Sequence, residues 1–128
     1  MPLVQISVPA GKSAEFIKSV SGGVHDAMVA TIDIPSADRF QAICEHPSGW
    51  LVCDPTYLGV ERSAEAIIVR ITMRSGRTNE KKRALYKAIA QNLHDRAGVR
   101  KQDVMVVLFE NEAIDWSFGE GEAQYSKG

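Results

Sequence analysis

The chain has 128 residues with 15 Lys+Arg against 16 Asp+Glu, a formal net charge of −1, and is 45% hydrophobic and 24% charged. That balance fits one soluble domain over 1–128 with a modest core, and it excludes a general basic field for nucleic acid or an anionic membrane surface. No apolar run reaches the roughly 18–20 residues of a membrane span and no basic-then-apolar leader opens the chain, so the expected location is cytoplasmic. Cys44 and Cys53 are then expected as reduced thiols.

In chain order, residues 3–8 alternate as a strand, with Val4, Ile6 and Val8 on one face and Leu3, Gln5 and Ser7 on the other. Gly11 turns the chain. Ser13 caps a helix running to about Ile32, with Phe16, Val20, Val24 and Met28 at four-residue spacing and Gly22-Gly23 weakening it locally. Pro35 forbids continuation, and Arg39–Glu45 reads as a second strand with Phe40, Ala42 and Cys44 sharing a face. Residues 46–65 link this unit to the next and have room for a short hairpin.

A shift of 65 residues then aligns the chain with itself without a gap. Val4 meets Val69, Ile6 meets Ile71, Gly11 meets Gly76, Ser13 meets Thr78, Asp38 meets Asp103 and Glu45 meets Glu110. The second half accordingly predicts a strand over Ala66–Met73, a helix over Asn79–Ala97 with Leu85, Ile89 and Leu93 inward, and a strand over Asp103–Glu110. Residues 111–128 form a tail whose Trp116-Ser117-Phe118-Gly119 segment is aromatic for a terminus. Each half, about 2–45 and 67–110, is a βαβ unit with parallel strands and a right-handed crossover. Two such units side by side predict an α+β fold: a four-stranded sheet with both helices on one face, the other face needing cover. Self-association is the natural remedy.

The residue that could carry chemistry is Pro2. A small second residue favours removal of Met1, which would leave a ring-held secondary amine at the end of a strand. An ordinary α-amino group titrates near ~7.7–8.0, so modest burial or neighbouring charge selects either protonation state. The alternative role of Pro2 is to stiffen an edge strand, where its missing N–H does no harm. Elsewhere, His25 inside the first helix reads as a structural histidine, and His94 and Asp95 as solvated or capping groups. Cys44, Glu45 and His46 resemble metal ligands in type, but no second pair completes a tetrahedral set. No phosphate loop, nucleophile elbow or basic-aromatic stripe is present, and no cofactor or metal is implied.

Met1-Pro2-Leu3, Ile34-Pro35-Ser36-Ala37-Asp38-Arg39-Phe40-Gln41, Gly59-Val60-Glu61-Arg62-Ser63, Glu110-Asn111 and Asp115-Trp116-Ser117-Phe118-Gly119 span nearly the whole chain. With the tandem βαβ units, they resemble the tautomerase superfamily, and within it the malonate semialdehyde decarboxylases and their near relatives. The resemblance implies a trimer with active sites at or near subunit boundaries, a small oxo-acid substrate and a catalytic Pro2. It assigns a catalytic aspartate to Asp38, although Asp103 at the equivalent place of the repeat shows that such a residue can simply terminate a loop. A substrate carboxylate needs a cation, and Arg77 and Arg74 are the candidates, Arg77 slightly ahead. The spacing Arg74-Ser75-Gly76-Arg77 is one residue longer than the best-known decarboxylase pattern. Trp116 and Phe118 could wall the reacting carboxylate from water or pack the tail across the sheet. The activity so implied is cofactor-independent decarboxylation of malonate semialdehyde or a related β-oxo acid. Its rivals are tautomerase or hydratase action on enol, oxo or acetylenic acids, and a binding or signalling module with vestigial catalysis.

Overall fold

The computed structural model of the chain describes residues 1–126. Four strands, β1 (Pro2–Pro9), β2 (Gln41–His46), β3 (Ile67–Arg74) and β4 (Val104–Asn111), alternate with two long helices, α1 (Ala14–Thr31) and α2 (Asn79–Ala97). They form one sheet in the order β2-β1-β3-β4. Within each half the strands are parallel, β1 with β2 and β3 with β4, as the crossover helices require. The halves meet through antiparallel β1 and β3, with Pro2 opposite Met73 and Val4 opposite Ile71.

The period-two pattern places Val4, Ile6, Val8, Val69, Ile71 and Met73 on the face covered by both helices, where all are fully buried. Val20, Val24 and Met28 of α1 and Leu85, Ile89 and Leu93 of α2 close the core from above. Both helix starts are capped: Ser13 Oγ accepts the Phe16 N–H at 3.0 Å and Thr78 Oγ1 accepts the Lys81 N–H at 3.2 Å. α2 ends at left-handed Gly98. The 65-residue shift puts Asp33 at the same place after α1, and it too is left-handed, with φ of 58°.

The structure departs from the sequence reading at the start of β2, which begins at Gln41 rather than Arg39, and in three further places. α1 runs unbroken through Gly22-Gly23 because the helices approach closely there. A Cβ on Gly23 would lie 3.0 Å from Leu93 Cδ1 and 3.3 Å from Asn92 Cβ, and Asn92 Nδ2 donates to the Gly23 carbonyl at 3.0 Å. The linker holds no hairpin; its ordered element is a single 3-10 turn at Tyr57–Gly59. Arg74 is the last residue of β3 rather than a residue beyond it, because the ladder with β4 continues to the Arg74–Asn111 pair.

Among the described residues, no helix covers the second sheet face. Leu3, Met105 and Phe109 lie on it and are exposed, and the Arg70 guanidinium stacks on the Phe109 ring at 4.3 Å.

Candidate active site

Pro2 begins β1 and is buried. The chain's amino group, on Met1, lies 2.6 Å from Asp38 Oδ2, with both side chains almost shielded from solvent. Apart from this ion pair that carboxylate oxygen has no partner among the described residues, although it is buried. Asp38 sits in a turn closed by its own N–H on the Pro35 carbonyl at 3.0 Å and by the Arg39 N–H on the Ala37 carbonyl at 3.0 Å. The turn is tied to β1 by the Val4 N–H donating to the Phe40 carbonyl at 3.0 Å. Sequence and backbone thus bring the two proposed catalytic residues, Pro2 and Asp38, to one end of the sheet.

Asp103 is the internal control. It is buried, and its carboxylate accepts the Ser63 N–H at 2.7 Å and the Ser63 hydroxyl at 2.6 Å, with Arg100 3.6 Å away. That carboxylate is saturated by the segment entering β3, whereas Asp38 meets only the chain's amine. Asp103→Ala is therefore expected to cost about 1–3 kcal/mol by leaving the part-buried Ser63 donors without their acceptor. Urea unfolding measures this; an unchanged midpoint would show that the Ser63 groups find water instead.

The arginines face different surroundings. Arg74 lies near the tail, its guanidinium carbon 5.9 Å from the Tyr125 ring. Arg77 turns back, with Nη1 donating to the Arg74 carbonyl at 2.9 Å. Nearby, Asp33 bonds Lys81 Nζ at 2.6 Å; this hydrogen bond and the Lys81 charge hold its carboxyl below the usual carboxylate range, with a smaller contribution from Arg77. Neither Arg74 nor Arg77 is in an ion pair among the described residues.

The tail builds an apolar cleft of about 370 Å³ against the helix-free face, lined by Leu3, Thr72, Asn111, Phe40, Trp116 and Phe118, among others. Trp116 stacks on Phe118 with ring centres 5.5 Å apart, and Phe118 also meets Phe40 at 5.4 Å and Tyr125 edge-on at 5.2 Å. Trp116 Nε1 donates to Asn111 Oδ1 at 2.7 Å, which fixes the indole. The 3-10 turn Ala113–Asp115 sets the tail's exit, since the Asp115 carboxylate accepts the Glu112 N–H at 2.9 Å.

Pro2 and Asp38 do not themselves line this cleft; their neighbours Leu3 and Phe40 do, while Met1 sits buried against Asp38. Asn111 and Tyr125 are contacts that sequence reasoning did not single out for a role. Asn111 lies within the Glu110-Asn111 segment of the resemblance, and nothing local marked Tyr125. His25 is buried with Nε2 2.8 Å from the Ser36 carbonyl oxygen and Nδ1 unpartnered, so it is only half satisfied. His94 bonds the Val99 carbonyl at 3.1 Å beside the end of α2.

The geometry defines a double-βαβ protein with the Met1 amine set against a buried carboxylate oxygen of Asp38. A family model described as tautomerase enzyme matches residues 38–119, and a second of the same description matches residues 2–61. The chain belongs to the tautomerase family. It is 42% identical to the probable tautomerase YusQ of Bacillus subtilis (strain 168), over 97% of this chain and 98% of that protein. It is 34% identical to the probable tautomerase YrdN of the same organism, over 100% of this chain and 98% of that one. Among solved structures, a malonate semialdehyde decarboxylase inhibited by 3-bromopropiolate superposes with a TM-score of 0.91 at 36% identity, covering 96% of this chain and 93% of that one. A fused 4-OT symmetric trimer superposes with a TM-score of 0.78 at 25% identity, over 94% of both chains.

Proposed function

We propose that this chain is a cofactor-independent enzyme for small oxo acids that works through the amine of Pro2 after Met1 is removed, its main reaction being decarboxylation of malonate semialdehyde or a close β-oxo acid. The observation that carries the reading is Asp38 Oδ2, buried and otherwise unpartnered among the described residues, 2.6 Å from the amine of Met1, the residue whose loss would make Pro2 the terminus beside it. The likeness to a malonate semialdehyde decarboxylase over nearly the whole chain supports it.

Loss of CO₂ from a β-oxo acid breaks the C–C bond to the carboxylate, and the electron pair passes to the carbonyl. A cationic Pro2 accepts this charge by hydrogen bonding the carbonyl oxygen; a neutral Pro2 does so by adding to the carbonyl and losing water to form an iminium ion. The released enol takes a proton at carbon to give acetaldehyde; in the iminium route the enamine takes that proton, and water then hydrolyses the resulting iminium ion to acetaldehyde and free Pro2. Arg74 and Arg77 are assigned to the substrate carboxylate, for which a guanidinium fork is suited. Trp116 and Phe118 would keep water from that carboxylate, disfavouring its charged ground state relative to neutral CO₂. Asp38 would position substrate or water beside the amine.

A second reading, tautomerase or hydratase action on related enol, oxo or acetylenic acids, is favoured by the Bacillus relatives, both called probable tautomerases. Relative kcat/KM across a panel separates the two: decarboxylation leads if malonate semialdehyde is turned over fastest, and the second reading replaces it if an enol acid is. The exposed face with Leu3, Met105 and Phe109 and the likeness to a symmetric trimer support a homotrimer. A sedimentation mass of one or two chains would contradict that assembly.

A further inference from the structure

We propose that His25 is a positioning residue that sets Asp38 through the backbone of its turn, an inference that rests on the role given to Asp38 above. His25 lies on α1 and is 4% exposed. Its Nε2 is 2.8 Å from the Ser36 oxygen, and since a carbonyl only accepts, Nε2 carries the hydrogen and donates. Nδ1 is buried and without a partner among the described residues. A ring placed merely to fill core would be served as well by an apolar residue. This one leaves a nitrogen unsatisfied and spends its one bond on the loop that carries Asp38.

Ser36 belongs to the turn closed by the Asp38 and Arg39 N–H groups, so fixing its carbonyl fixes the peptides on which Asp38 hangs. The other end of the turn is held from the same helix. Arg39 Nη2 donates to Ser21 Oγ at 2.8 Å, and Gln41 Nε2 to the Ser21 carbonyl at 2.9 Å. Ser21 and His25 are four residues apart on α1, both buried, so they share one face and grip the turn from both sides.

The repeat supplies the independent argument. Shifted by 65 residues, His25 falls on Ala90, and Ser21 on Tyr86. In that half the aspartate needs no such support, because Ser63 bonds the Asp103 carboxylate directly. Asp38 has no such bonds to its carboxylate, and a group kept free for substrate has to be oriented through its backbone. The histidine occurs only in the half whose carboxylate has the terminal amine as its sole partner among the described residues.

The test uses full-length His25→Leu and His25→Gln, the glutamine amide reaching about where Nε2–H lies. His25→Leu is expected to lower kcat on malonate semialdehyde about tenfold or more with KM little changed, and His25→Gln to recover most of the loss. Amide exchange at Asp38 and Arg39 should quicken in the leucine variant and not in the glutamine variant. Nitrogen NMR of the wild-type ring should show the Nε2–H tautomer. A Nδ1–H tautomer, or a leucine variant with wild-type kcat and unchanged exchange, overturns the proposal. Should the leucine variant not fold, the glutamine variant decides: kcat near wild type supports the role, and a loss as large as that from Pro2→Ala refutes it. If wild type decarboxylates nothing, the activity reading has failed, and the ring tautomer and amide exchange still decide whether His25 sets the turn.

Discussion

Pro2→Ala is expected to lower turnover of malonate semialdehyde by about 10²–10⁴-fold without unfolding the protein. Alanine at this place still leaves a terminal amine after Met1 is removed, but a primary one that no ring holds to the end of β1. The fold should survive, since the core of β1 is Val4, Ile6 and Val8, and the residue opposite Pro2 is Met73 of a strand anchored on both sides. Steady-state kinetics beside circular dichroism reads both quantities. A folded variant as active as wild type would show that the proline ring takes no part. Intact mass belongs with this experiment, because a retained Met1 leaves its amine on Asp38 and no free amine on Pro2.

Asp38→Asn is expected to cost about 10²-fold in kcat with little loss of stability. The amide keeps the shape of the side chain and removes the charge that faces the amine. Little stability is at stake, since asparagine keeps the backbone bonds of the turn and the ionic partner of the carboxylate is the Met1 amine, which processing removes. Asp103→Ala should behave in the opposite way, losing stability and keeping turnover per folded molecule. The two variants, compared by urea midpoint and kcat, therefore separate a working carboxylate from a loop-terminating one. If Asp38→Asn loses stability alone, Asp38 is a turn residue like Asp103 and the proposed chemistry loses its second group.

The fold was legible because the period-two and four-residue patterns are local and the 65-residue shift states them twice. Val4 and Val69, Ser13 and Thr78, and Asp38 and Asp103 do take corresponding places in the two halves. What the pattern misjudged depends on contacts between halves. Gly22-Gly23 reads as a weak point until Leu93 and Asn92 are seen against Gly23. Arg74 reads as lying just past a strand that ends at Met73 until its partner Asn111 extends the ladder.

The candidate site was legible to a lesser degree. Nothing in periodicity assigns Trp116 and Phe118 a place; composition marks them as odd for a terminus, the resemblance alone gives them a role, and their stack with Phe40 and Tyr125 is a meeting of distant segments. His25 reads as a core residue because its α1 neighbours Val24, Ala27 and Met28 are core. Its bond to the turn at Ser36 crosses from helix to loop and leaves no mark in local sequence. The difference between Asp38 and Asp103 is likewise invisible in the chain, since it lies in what each carboxylate meets.

The most direct measurement is proton NMR of malonate semialdehyde incubated with purified protein whose intact mass shows loss of Met1. The account predicts rapid growth of acetaldehyde signals with matching loss of substrate. Substrate that persists, or only equilibrates with its hydrate, would contradict it.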